Sequence, residues 1–153
     1  MVSENLTPAE RCERFQQIVN LRFRFLAATY GLASAETGCM SGEMWVSIRG
    51  SVSQVDVYFA YGHTDGTGNS IWLTVGRADG ERFNLDDLLH LRAPQRERSM
   101  LFAGFDPEFV DEILQERSTA LREYADDLLR GDFSIFPKLR DVMTKRNTKW
   151  SRI

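Results

Sequence analysis

The chain has 153 residues, 42% hydrophobic and 27% charged, a composition suited to a globular domain large enough to bury a core. No run approaches the roughly 18 consecutive apolar residues of a membrane span. The N-terminus lacks a secretory signal's basic and apolar regions, so a single cytoplasmic domain without membrane contact is expected. The formal net charge of −3 is unevenly spread: Lys138, Arg140, Lys145, Arg146, Lys149 and Arg152 against Asp141 make positions 138–153 net +5, which leaves −8 to the remainder.

Cys12 and Cys39 are too few for a disulfide framework and lack metal-ligand spacing, so reduced thiols in an intracellular protein are expected. Asn5-Leu6-Thr7 matches a glycosylation acceptor, which matters only in a secreted chain.

In chain order, Thr7 is placed to cap a helix, Pro8 suits its first position, and Glu10 completes a capping box. Cys12, Phe15, Val19, Phe23, Leu26 and Tyr30 then recur at helical spacing as a core-facing stripe, widened by Ile18 and Phe25. Gly31 can cap the C-terminus, so one helix over 8–30 is predicted. Positions 33–42, with Ser, Thr and two glycines, read as a loop.

The stretch 43–77 alternates with period two and predicts three antiparallel strands. Met44, Val46 and Ile48 share a face with Val55, Val57 and Phe59, and then with Ile71, Leu73 and Val75. Gly50-Ser51 offers a two-residue turn that pairs 49 with 52, 46 with 55 and 44 with 57, with 59 near 73. A short fourth strand is expected over 81–83.

Asn84 can cap a short helix to about 91, with Asp86 and Asp87 in its first turn. The segment RAPQRER reads as a loop that becomes helical around Arg96. Asp106 and Pro107 open a long helix to about 130, with Val110, Ile113, Leu114, Leu121, Tyr124, Ala125 and Leu128 as its apolar face and Gly131 ending it. A last helix over 134–145 offers Ile135, Leu139, Val142 and Met143, and positions 146–153 read as a frayed basic tail. The fold class is therefore α+β: a three- to four-stranded antiparallel meander packed with an N-terminal helix and C-terminal helices.

Two surfaces stand out. Trp45, Tyr58 and Trp72 share the sheet's second face with Glu43, Ser47, Gln54, Asp56 and Thr74. Aromatic groups on a polar face are either covered by a helix or offered to a partner. On the long helix, Glu108, Glu112, Glu116, Glu123 and Asp127 fall within a sector of about 100°. Such a row is a solvated helix face or a docking surface for a cationic protein, with Arg117, Arg122 and Arg130 interspersed.

Chemical motifs are sparse. The loop GHTDGTGN has neither the GK[ST] of a P-loop nor the acidic spacing of a calcium loop, and it reads as a hairpin connection. His63 and His90 sit in no metal or triad motif, Ser47, Ser53 and Ser99 lack a nucleophile-elbow context, and Cys39 has no evident base nearby. No cofactor or metal is implied. The basic C-terminus with Trp150 could grip a nucleic acid, but the net charge and the lack of a signature argue against it.

The segments RFRFLAATYGL and YADDLLRGDFSIFPKLRDVM are similar to small bacterial proteins of unknown function, several of which resemble immunity-type proteins of polymorphic-toxin systems. That resemblance implies a cytoplasmic binding protein and transfers no catalytic residue. A protein-binding role is the leading expectation. The alternatives are a small-ligand protein or enzyme with a pocket between the first helix and the sheet, and a homodimer built on the sheet face.

Overall fold

The computed structural model describes residues 6–40, 42–62, 68–96 and 101–151, except the side chains of 149–151. Asn5, His63 and Ser99 lie outside these residues, as do most of the GHTDGTGN loop and the side chain of Trp150.

Helix α1 (Pro8–Arg22) starts as its sequence dictates. The Glu10 amide donates to Thr7 Oγ1 at 3.2 Å and the Thr7 amide donates to Glu10 Oε1 at 3.1 Å, closing the capping box. The helix does not continue to residue 30. It ends at Phe23, and a short α2 (Phe25–Tyr30) follows, terminated by Gly31 at φ 72°. The apolar stripe conceals this break because Phe23 and Leu26 keep helical spacing across it while both enter the core.

Residues 33–40 are not a loop, and Ser41 lies outside the described residues. Ala33–Met40 form β1, an edge strand paired antiparallel to β2 (Glu43–Arg49), with a register irregularity between Ser34 and Glu36. The strand has no alternation to read because its side chains bury almost nothing; backbone pairing defines it.

Strands β3 (Ser53–Ala60), β4 (Ser70–Arg77) and β5 (Arg82–Asn84) complete a five-stranded antiparallel sheet in sequential order. Its register differs from the predicted one by two residues. Arg49 faces Gln54, Val46 faces Val57 and Met44 faces Phe59, while Phe59 faces Ile71 rather than 73. The Gly50 amide donates to the Ser53 carbonyl at 2.9 Å, so Ser51-Val52 forms the turn's tip. Ser53 is held in the strand by its hydroxyl, which donates to the Leu129 carbonyl at 2.9 Å in a fully buried setting. An even slip leaves every side chain on its own face, so the assignment of faces is unaffected.

Helix α3 (Leu85–Arg92) is capped by Asn84, and a 3-10 turn (Pro94–Arg96) follows. Helix α4 (Pro107–Tyr124) is capped by Asp106, whose carboxylate accepts from the Glu108 amide at 3.1 Å. It stops at Tyr124 instead of reaching 130: Ala125 leaves the helical conformation and a single turn, α5 (Asp126–Leu129), leads to Gly131 at φ 92°. Helix α6 (Phe136–Ser151) begins two residues later than predicted and runs through 146–151 of the positions expected to fray, while 152 and 153 lie outside the described residues. Arg146 on it is ion-paired with the buried Asp87 of α3, which anchors this end of the helix. No helix among the described residues is long and apolar enough to cross a membrane.

One hydrophobic cluster joins helices to sheet, and from strands β2 to β5 it takes only first-face residues: Met44, Val46, Ile48, Val55, Val57, Phe59, Leu73, Val75 and Phe83. Phe59 lies at its centre, in ring contact with Phe15 at 6.0 Å, Phe102 at 5.6 Å and Phe105 at 5.5 Å. Truncating so buried a ring costs about 3–5 kcal/mol. The described residues form a two-layer α+β fold with the helices on the first face, and none of the cluster's residues from β2 to β5 lies on the second.

Candidate functional site: the second face of the sheet

Cross-strand pairing arranges the second face in rungs. Gly38, Trp45, Tyr58 and Trp72 stand opposite one another on consecutive strands. Tyr58 and Trp72 stack with ring centroids 4.1 Å apart and planes 13° from parallel. Trp45 turns the other way and lies over Gly38, where any added Cβ would overlap its indole. All three aromatics are half-buried, and none belongs to the cluster under the helices.

Beside this row runs a polar network. Arg49 Nε donates to Gln54 Oε1 at 2.8 Å, and Gln54 Nε2 donates to Asp56 Oδ1 at 2.7 Å. The other carboxylate oxygen of Asp56 accepts from Thr74 Oγ1 at 2.9 Å and pairs with Arg82 Nε at 2.8 Å. Asp56 is only 1% exposed and Gln54 3%, although they lie on the face away from the helices. Their polar atoms are met by Arg49, Thr74 and Arg82 on this same face. Gly76 lets β5 close on this side, since a Cβ there would come within 2.8 Å of the Arg82 Cα. Burial and the neighbouring Asp56 carboxylate push the Tyr58 phenol up from its ordinary value, so it is a neutral hydrogen-bonding group.

The acidic row on α4 and α5 is a different matter. Glu116 binds Arg117 Nε at 2.7 Å and lies 3.8 Å from Arg96, Glu123 binds Arg96 at 3.0 Å, and Asp127 holds Arg92 in a two-pronged pair at 2.6 and 2.8 Å. The Arg92 guanidinium draws the Asp127 carboxyl below the usual carboxylate range. Only Glu108 and Glu112 are in no ion pair among the described residues. Three of its five acids are thus neutralised, by Arg92 at the end of α3, Arg96 in the 3-10 turn and Arg117 on α4 itself. Sequence patterning finds the acids and the neighbouring Arg117 but not Arg92 and Arg96, because those pairs cross between elements.

Other candidates recede. His90 is exposed in the last turn of α3, Ser53 is engaged with the Leu129 carbonyl, and among the described residues no three His, Cys, Asp or Glu side chains group to hold a metal. Between α1 and the sheet, where a pocket was one expectation, Phe15 and Val19 are fully buried. A groove of about 180 Å³ lies elsewhere, with Ile71, Phe102, Phe109 and Ile113 as its apolar lining and Glu112 among its polar residues.

Cys12 and Cys39 are not free thiols. They form a disulfide between α1 and β1, with Cα atoms 6.2 Å apart. A separation of 27 residues in sequence gave no sign of this; it follows from β1 being a strand that lies beside α1.

No protein-family model, curated protein or solved structure matches the chain.

Proposed function

We propose that this protein works by binding another protein through the open sheet face, in the manner of a bacterial immunity-like neutraliser that occludes its partner's working surface. The observation that carries this is the Trp45/Tyr58/Trp72 row, half-buried on the face away from the helical layer. Tryptophan and tyrosine supply most of the binding energy at protein interfaces when ringed by polar groups, and Asp56, Gln54, Thr74, Arg49 and Arg82 supply that ring. The buried hydrogen-bond network holds the face rigid, which lowers the ordering cost of association. The neutralised acidic row supports the sheet face over α4 as the contact surface. We place the protein in the cytoplasm, where the Cys12–Cys39 bond is subject to thiol reductants.

A second reading, binding of a small amphipathic ligand, is favoured by the apolar groove beside Glu112.

Affinity capture from the native host, followed by titration of the recovered partner, tests the proposal. Trp45→Ala/Trp72→Ala weakens binding by on the order of a hundredfold or more, since two interface tryptophans are removed. Glu108→Lys/Glu112→Lys changes it little. Folded sheet-face variants that bind at full strength, with the helix variant defective, would move the interface to α4.

A further inference from the structure

We propose that the Cys12–Cys39 disulfide is a redox latch that fixes edge strand β1 and, through it, the position of Trp45. Four observations converge. No side chain of β1 enters the hydrophobic cluster, so little packing holds the strand. Its described attachments to the rest of the molecule are the ladder to β2, a 3.2 Å hydrogen bond from Ser34 to Asn20, a long 4.0 Å contact from Gln16 to the Cys39 sulfur, and the disulfide. Cys39 is exposed and Cys12 half-buried, which puts the bond within reach of a thiol reductant; exposed disulfides are the labile ones. Gly38, adjacent to Cys39 in the strand, forms the floor beneath the Trp45 indole.

The chemistry is thiol–disulfide exchange with a dithiol reductant. Its thiolate attacks Cys39 Sγ, the S–S bond breaks, and the Cys12 sulfur leaves with the electron pair and takes up a proton. The reductant's second thiolate then attacks its own sulfur in the mixed disulfide, which frees the Cys39 thiolate. Two electrons pass from the dithiol, which becomes a cyclic disulfide, to the protein, which gains two thiols. A small-molecule disulfide reverses the reaction.

Reduction leaves α1, α4 and the strands from β2 onward intact, because their core does not include β1. It lets β1 open and deprives Trp45 of its floor. The consequence for partner binding rests on the proposed function, but opening of the strand does not.

Amide hydrogen exchange on the whole chain, oxidised and after dithiothreitol, tests the latch without any partner. Exchange over 33–40 rises by about two orders of magnitude on reduction, the scale set by opening a loop of this length. Amides of α4 are unchanged, and the Trp45 indole N–H resonance broadens. Cys39→Ser behaves like the reduced protein whether or not reductant is present. Unchanged exchange over 33–40, or a loss of protection throughout the molecule together, overturns the latch. Release of β1 with an unmoved Trp45 resonance overturns its link to the binding face.

Discussion

Replacing Asp56 with Ala tests whether the second face is held by its own buried network. Asp56 is 1% exposed and accepts from Gln54, Thr74 and Arg82. Without it, the 3%-exposed Gln54 loses the acceptor of its amide nitrogen, and an unsatisfied buried donor costs about 1–3 kcal/mol. Removing one partner of a buried ion pair costs about 3–5 kcal/mol. Arg82 retains 30% side-chain exposure and can turn to water, so a total of about 3 kcal/mol is the reasonable figure. At roughly 2–4 °C per kcal/mol for a chain of this size, the melting temperature falls by about 6–12 °C. In urea the midpoint falls by about 1.5 M with an unchanged slope, if the slope is near 2 kcal/mol/M. Asp56→Asn is also destabilising. Turning its amide toward Gln54 requires Gln54 to flip, and the flip takes Oε1 away from Arg49. A loss below about 1 kcal/mol for Asp56→Ala would refute the network as a structural element.

Acid stability gives the remaining predictions. Arg22 holds the Asp111 carboxyl below its ordinary value by a two-pronged hydrogen bond at 2.6 and 2.7 Å, and Arg92 does the same for Asp127. The folded state therefore binds protons to these groups less readily than the unfolded chain. Their contribution is complete above the unfolded carboxylate value of about 4 and disappears as pH falls through the depressed folded values. Arg22→Gln and Arg92→Gln should each flatten the loss of stability below pH 4, measured by urea titration at stepped pH. Slopes identical to that of the unsubstituted protein would show that these pairs do not control it.

Much of this fold is legible in the residues because local chemistry decides it. Thr7, Asn84 and Asp106 announce helix starts, and the alternation of 44–48, 55–59 and 71–75 sorts each side chain to a face whatever the register. The missing parts depend on distant groups. β1 carries no burial pattern, and the two-residue slip follows from the turn tip lying at Ser51-Val52, closed by the Gly50 amide on the Ser53 carbonyl. The Cys12–Cys39 bond exists only once α1 and β1 are neighbours. At the candidate site, the aromatic row and its polar companions Gln54, Asp56 and Thr74 could be placed on one face from alternation alone. Arg82, Gly38 and Gly76 could not, since each acquires its role from a cross-strand partner. The acids of α4 and α5 are visible as a stripe, whereas Arg92 and Arg96, which pair with Asp127 and Glu123, approach from elsewhere in the chain.

The central claim is that the second face is open in the free protein and closed by a protein partner. Hydroxyl-radical footprinting of the free chain and of the chain with its captured partner measures this directly. Trp45, Tyr58 and Trp72 should oxidise readily in the free protein, far ahead of the buried Phe15 and Phe59, and become protected in the complex. Protection confined to α4, with the three aromatics labelled equally in both states, would contradict the account.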